Sequence, residues 1–125
     1  MTEPDLVPRK TILVVDDDLL IRRVMRAALE STYLVFDAIE GQAALEVMAR
    51  QPCDLVISDC DMPGMGGLEL IGHIRANQPS LPIIVMSGEL SEERRQVVAS
   101  LGTTSLEKPF KPAVLLELVD HLLTH

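Results

Sequence analysis

Short apolar runs alternate with helical repeats along this chain of 125 residues. The first run, at 11–15, reads Thr-Ile-Leu-Val-Val and is rich in β-branched residues, which favour buried strands. Similar runs occur at 55–57 and 82–86, and weaker ones occur at 33–36 and 103–107. The pattern therefore predicts five short strands.

Amphipathic helices are predicted between these strands and after the last one. The apolar face of the first helix carries Leu20, Ile21, Val24 and Ala28, and its charged face carries Arg22, Arg23, Arg26 and Glu30. The later helices are expected to turn inward the apolar residues Ala44, Leu45, Met48, Leu68, Ile71, Ile74, Val97, Val98, Leu101, Val114, Leu115, Leu118, Val119 and Leu122. Five strand–helix units in strict alternation predict a parallel sheet with helices on both faces.

Length and composition are those of one ordinary globular domain. We predict a loose tail over 1–9, which holds two prolines and several charges, and a single domain over 10–125. The net charge of −8 argues against binding to nucleic acid or to an anionic membrane. The first residues lack the pattern of a secretory signal, so none is expected, and no apolar run reaches the length needed to span a bilayer. The two cysteines lack a metal-binding spacing. Both are interpreted as reduced thiols, and the predicted location is the cytoplasm.

Polar side chains that could carry chemistry follow four of the predicted strands. Asp16 and Asp17 end the first strand, Asp59 ends the third, Ser87 follows the fourth, and Lys108 follows the fifth. The carboxyl ends of parallel strands meet at one edge of a sheet, so these groups are expected to converge. Clustered carboxylates repel one another unless a cation or a shared proton compensates them, and oxygen ligands favour Mg²⁺ or Mn²⁺. The expected site binds a metal ion and a phosphoryl group.

These residues, in this order, resemble the receiver domain of two-component response regulators, including the chemotaxis regulators. The resemblance covers about residues 10 to 125 and rests on Ile12-Leu13-Val14-Val15-Asp16-Asp17, Asp59-Cys60-Asp61-Met62-Pro63, Ser87, and Lys108-Pro109-Phe110. It implies a flavodoxin-like fold, a five-stranded parallel sheet in the order 2-1-3-4-5 with five helices.

The resemblance also implies a function. Asp59 is the expected phosphoacceptor, which takes its phosphoryl group from a phosphohistidine on a sensor kinase or phosphotransfer protein. Asp17, Asp59 and the main-chain carbonyl of Asp61 are the expected Mg²⁺ ligands, and Asp16 is expected to act mostly through a bound water. The expected assembly is a monomer or a weak dimer linked to phosphorylation, with a downstream target that the sequence does not identify.

Two further roles are implied for residues at the same edge of the sheet. Lys108 is expected to pair with one phosphoryl oxygen, and Ser87 is expected to close on another. Movement of Ser87 would then switch the face formed by the fourth helix, the fifth strand and the fifth helix. No separate enzymatic turnover is expected.

The chain departs from the family pattern at three places. Ser105 replaces the usual aromatic residue on the last strand, Gly66 replaces a common aspartate, and acidic Asp61 and Glu89 flank the site. Ser105 puts the usual output coupling in question, and the flanking acids bear on the lifetime of the phosphate.

Two alternatives remain at this point. A small phosphatase of the haloacid dehalogenase type also has an Asp-x-Asp pair after a strand, although its additional acidic pair follows the lysine rather than preceding it. The second alternative is a degenerate receiver that acts only as a docking module. The intact acidic pair, acceptor and lysine argue against it.

Overall fold

A computed structural model describes residues 9–60, 65–88 and 91–124 of the chain. Its strands are β1 (Thr11–Val15), β2 (Leu34–Ala38), β3 (Leu55–Asp59), β4 (Ile83–Ser87) and β5 (Thr104–Glu107). Its helices are α1 (Leu19–Leu29), α2 (Gly41–Arg50), α3 (Gly67–Asn77), α4 (Glu92–Ser100) and α5 (Pro112–Leu123). The predicted succession of five strand–helix units is confirmed.

The strands form one parallel sheet in the order β2-β1-β3-β4-β5, as expected. Every residue of β1, β3 and β4 is buried, which explains why their sequences are continuously apolar rather than alternating. The two edge strands, β2 and β5, carry exposed residues and gave the weaker sequence signals. β2 begins one residue later than predicted and extends to Ala38.

Two apolar clusters cover the two faces of the sheet. One packs residues of α2, α3 and α4, including Ala44, Ile71 and Val98, against the sheet. The other packs residues of α1 and α5, including Met25 and Val119. The carboxyl edge of the sheet lies between these two layers, where strands end and side chains are not needed for the core. It carries Asp16, Asp17, Asp59, Ser87 and Lys108.

The prediction of which α1 residues face the core was wrong in part. Leu20 is 67% exposed and Val24 is 39% exposed, whereas Met25 and Leu29 are fully buried. The true core stripe is rotated around the helix, because packing against β2 and α5 selects Met25 and Leu29 along with Ile21 and Ala28. Val97 on α4 and Val114 on α5 were also predicted to face inward and are exposed.

Local chemistry at the helix ends agrees with the sequence. Ser91 caps α4, and its hydroxyl accepts a hydrogen bond from the Arg94 amide. Gly102, which follows α4, has a φ of +69°, a conformation that glycine adopts without strain. Neither cysteine forms a disulfide. Among the described residues, no helix is both long and apolar enough to cross a bilayer.

Candidate phosphoryl and metal site

Three carboxylates meet where β1 and β3 end. β1 and β3 are hydrogen-bonded neighbours with Val15 opposite Ser58, so the next residues, Asp16 and Asp59, also lie side by side. Asp17 joins them, and carboxylate oxygens of all three residues lie within 4.8 Å of one another. Asp16 and Asp59 are buried, and Asp17 is exposed. The predicted convergence of the acidic residues is confirmed.

Lys108 supplies the cation of this cluster. Its Nζ atom lies 3.3 Å from Asp16 Oδ2 and 3.3 Å from Asp59 Oδ1. Partial burial lowers the pKa of Lys108, but attraction to Asp16 and Asp59 outweighs that effect and leaves its pKa above the ordinary value. Lys108 is therefore charged at neutral pH and holds the two buried carboxylates together.

The backbone around Lys108 is tied to β4. The Lys108 amide donates to the Ser87 carbonyl at 2.7 Å, and the Lys108–Pro109 peptide bond is cis. Ser87 is buried at the end of β4, one residue past Met86, which pairs with Asp59 in the sheet. The structure thus brings Ser87 to the same edge as Asp59 and Lys108, as the sequence predicted.

Asp16 is held at its main-chain and side-chain atoms. Its amide donates to the Ala38 carbonyl at 3.1 Å, and its Oδ1 accepts from the Asp18 amide at 2.9 Å. Its carbonyl accepts from Arg22 Nη1 at 2.8 Å. Arg22 was expected on the charged face of α1, opposite the core, so this contact was missed. A basic residue near the start of the helix that follows the acidic pair was the available signal.

The backbone of Asp59 is packed against the start of α3. A Cβ atom on Gly67 would lie 2.1 Å from the Asp59 carbonyl oxygen, which no side chain could tolerate. Gly67 is the first residue of α3. The structure shows that glycine is required because the helix backbone touches the end of β3.

A polar cavity adjoins Ser87. It has a volume of about 190 Å³ and is lined by Ser87, Arg95, Ser105 and Glu107. Ser105 and Glu107 lie two residues apart on β5 and so share one face of that edge strand. Ser105 stands where the family resemblance implies an aromatic residue, and the described lining of this cavity is polar.

The donor set fits a small divalent cation. Three carboxylates lie near the ammonium of Lys108, so the cluster carries excess negative charge. Two of these carboxylates, those of Asp16 and Asp59, belong to buried residues. Carboxylate oxygens are hard ligands that suit Mg²⁺ and Mn²⁺ better than Zn²⁺. Asp16, Asp17 and Asp59 would hold the ion. The remaining predicted ligand, Asp61, lies outside the described residues.

Comparison with known proteins agrees with this geometry. The response regulator protein FleR of Pseudomonas aeruginosa is 40% identical over 114 residues, which cover 86% of this chain and 23% of FleR. Chemotaxis protein CheY-3 of Vibrio cholerae is 32% identical over 116 residues, which cover 89% of each protein. The crystal structure of V. cholerae CheY4 has a TM-score of 0.85 and 33% identity, covering 92% of this chain and 99% of CheY4.

The chain spans less than a quarter of FleR, so the comparison with FleR concerns one domain of a longer protein. The family model of the response regulator receiver domain matches residues 12–120, nearly the whole of the described structure. The strand order, the acidic cluster and these matches lead to one conclusion. The chain belongs to the response regulator receiver domain family.

Proposed function

We propose that Asp59 accepts a phosphoryl group from a phosphohistidine on a sensor kinase or phosphotransfer protein. The observation that carries this proposal is the position of Asp59 Oδ1, which lies 3.3 Å from the Lys108 ammonium at the end of a buried strand. Phosphoryl transfer depends on positioning and charge neutralisation more than on covalent help from the protein. Lys108 supplies a fixed positive charge for the incoming phosphoryl oxygens.

The acidic cluster is proposed to bind Mg²⁺, with Mn²⁺ as an alternative. Asp16, Asp17 and Asp59 provide the described ligands, and the carbonyl of Asp61 is added from the family resemblance. When bound, the ion supplies positive charge that offsets the repulsion between the carboxylates and an approaching phosphate. Asp17 is the exposed member of these three residues.

A surface for the phosphohistidine donor adjoins the site. An apolar cavity of about 360 Å³ is lined by Ile21, Val24, Lys108, Pro109 and Phe110. Because Lys108 belongs both to this cavity and to the acidic cluster, a protein that delivers a phosphoryl group to Asp59 covers the cavity too. Leu20, one turn before Val24 on α1, extends the exposed apolar area.

The response to phosphorylation is proposed to pass through Ser87. The carbonyl of Ser87 accepts a hydrogen bond from the Lys108 amide. Ser87 also lines the polar cavity, together with Arg95, Ser105 and Glu107. If the Ser87 hydroxyl moves toward a new phosphoryl oxygen, the lining of that cavity changes, and the start of α4 changes with it. The proposed output is therefore a shift in a pre-existing equilibrium of the face formed by α4, β5 and α5.

The alternatives gain no support. A phosphatase of the haloacid dehalogenase type is not favoured, because the family match extends over residues 12–120 and relatives of similar size are chemotaxis regulators. A degenerate receiver would be expected to have lost a site residue. Asp16, Asp17, Asp59 and Lys108 are all present at the site, which argues against a docking module. We propose a receiver without separate turnover, located in the cytoplasm.

The decisive experiment is incubation with acetyl phosphate and Mg²⁺, followed by mass spectrometry. The expected result is one phosphoryl addition that maps to Asp59 and requires the metal. Asp59→Asn should abolish it, whereas Asp18→Asn should not, because asparagine caps α1 as well as aspartate does. An unchanged yield in Asp59→Asn would overturn the assignment.

A further inference from the structure

Arg22 connects the acidic loop to the edge of the sheet. Its Nη1 donates to the Asp16 carbonyl at 2.8 Å, and its Nε lies 3.4 Å from Asp37 Oδ2 at the end of β2. Its side chain is only 12% exposed, although it belongs to the charged face of α1. An arginine gives up hydration and side-chain freedom in such a place, so both contacts must compensate for that loss.

The contact with Asp16 controls Asp17 through the backbone. The carbonyl of Asp16 and the amide of Asp17 belong to one planar peptide group, so a hydrogen bond to the carbonyl fixes the orientation of the whole unit. That orientation determines where the Asp17 carboxylate projects. Asp16 itself is held independently by Ala38, Asp18 and Lys108, whereas Asp17 is exposed. The Arg22 contact therefore matters more to Asp17 than to Asp16.

Asp37 makes this arrangement compatible with a cation. An arginine beside the acidic cluster would repel a divalent ion, but Asp37 pairs with Arg22 and offsets its charge. Arg26 contacts the other oxygen of Asp37 at 3.6 Å, but its side chain is more exposed than that of Arg22, so this contact is the weaker one. The pair Arg22–Asp37 thus supplies a rigid hydrogen-bond donor with little net charge.

We propose that Arg22 is a positioning residue for the metal site, which orients the Asp16–Asp17 peptide so that Asp17 faces the bound ion. This inference rests on the proposed Mg²⁺ site. Residues that orient metal ligands typically change metal affinity by about 10- to 100-fold when they are removed. A change in that range is expected for Arg22.

The direction of the change separates positioning from simple electrostatics. Loss of a positive charge near the cluster should by itself tighten Mg²⁺ binding. Loss of a positioning contact should weaken it. Arg22→Met keeps the apolar stem of the side chain and removes both the charge and the hydrogen bonds, so the sign of its effect on Mg²⁺ affinity is informative.

The test is isothermal titration of Mg²⁺ into the parent chain, Arg22→Met, Arg22→Lys and two controls. Arg23→Ala removes an exposed charge from the neighbouring position, and Arg26→Ala breaks a contact with Asp37 without a contact to Asp16. We expect Arg22→Met to weaken Mg²⁺ binding at least about ten-fold, Arg22→Lys to recover part of the affinity, and both controls to stay within about two-fold.

A second measurement separates positioning from folding. Amide NMR spectra of metal-free Arg22→Met should show a folded chain in which the Asp17 amide shifts strongly and the Asp59 amide does not. A lower melting temperature with unchanged Mg²⁺ affinity would show that Arg22 only stabilises the fold, and that would overturn the inference. If the parent chain itself fails to bind Mg²⁺, the proposed metal site fails, and this inference fails with it.

Discussion

Lys108 and Asp59 form an ion pair across the carboxyl edge of the sheet, with Lys108 Nζ 3.3 Å from Asp59 Oδ1. The two residues are far apart in sequence, and the lysine reaches Asp59 from the loop that follows β5. The same nitrogen lies 3.3 Å from Asp16 Oδ2, so one ammonium compensates two buried carboxylates. Lys108 therefore contributes to the stability of the metal-free chain at this site.

Lys108→Met is expected to lower the free energy of unfolding in EDTA by about 1–3 kcal/mol. Removing one partner of a buried pair costs more than that, but Lys108 is partly exposed, which reduces the effect. The variant should also bind Mg²⁺ more tightly than the parent chain, because the cluster then carries one more uncompensated negative charge. Thermal melts and Mg²⁺ titrations measure both effects. Unchanged Mg²⁺ affinity would contradict the electrostatic account of the site.

Asp17→Ala is expected to weaken Mg²⁺ binding and yet to raise slightly the stability of the metal-free chain. Removal of one carboxylate relieves repulsion within the cluster, and because Asp17 is exposed the gain should not exceed about 1 kcal/mol. Melting temperatures with and without Mg²⁺ test this. Glu46→Ala, an exposed acid on α2, is the control for a loss of charge alone. A lower melting temperature of Asp17→Ala in EDTA would show that the cluster is not strained.

Ser87→Ala and Ser105→Ala are expected to differ in their response to beryllofluoride, a stable analogue of the acyl phosphate. Ser87 is buried beside Lys108, whereas Ser105 is an exposed residue on the edge strand. Ser105 is too small to fill the cavity of about 190 Å³ that it lines, so burial of its side chain is not the readout. Ser87→Ala should lose the amide shifts in α4, and Ser105→Ala should keep them. Loss of the shifts in Ser105→Ala would make that serine part of the relay.

Leu20→Glu is expected to slow phosphorylation by a phosphohistidine donor without slowing phosphorylation by acetyl phosphate. A charge on this exposed part of α1 disturbs protein docking but leaves Asp59 and Lys108 untouched. The donor is any histidine kinase that phosphorylates the parent chain in a panel from the host. Leu34→Glu places the same charge at an exposed position on β2 and should have little effect. Equal slowing with both phosphodonors would point to damage at the site itself.

The ionisation of Tyr33 can be followed by absorbance, because Tyr33 is the single tyrosine of a chain without tryptophan. Burial, a hydrogen bond to Asp120 and the charge of Asp120 raise the pKa of the Tyr33 phenol to about 12. The fold therefore favours the neutral phenol, and this contribution to stability is complete below the unfolded pKa of about 10 and is lost as the pH rises toward 12.

The phenolate absorbance of the parent chain and Asp120→Asn measures this shift. The variant should titrate at lower pH but still above an ordinary tyrosine, because burial is the largest cause and remains. Circular dichroism of the same samples separates ionisation from alkaline unfolding. Identical titration curves for both chains would remove Asp120 from the explanation.

The strand–helix order, the parallel sheet and the set of residues at its carboxyl edge could all be predicted from the order of amino acids. Buried central strands need continuous apolar runs, and the chemistry-bearing residues follow them directly, so Asp16, Asp59 and Ser87 could be placed without coordinates. Lys108 could be placed for the same reason once the fifth strand was assigned. These features depend on local composition and on the geometry of parallel sheets.

Tertiary packing selects which helical residues face the core and which contacts orient the site. Leu20 and Met25 are both apolar residues of α1, and packing against β2 and α5 selects Met25. Helical periodicity leaves the rotation of a helix open by about one residue, because neighbouring apolar stripes overlap. Arg22 looked like a solvent-facing charge for the same reason. Its contacts with Asp16 and Asp37 depend on the distance between strand ends, which no local pattern records.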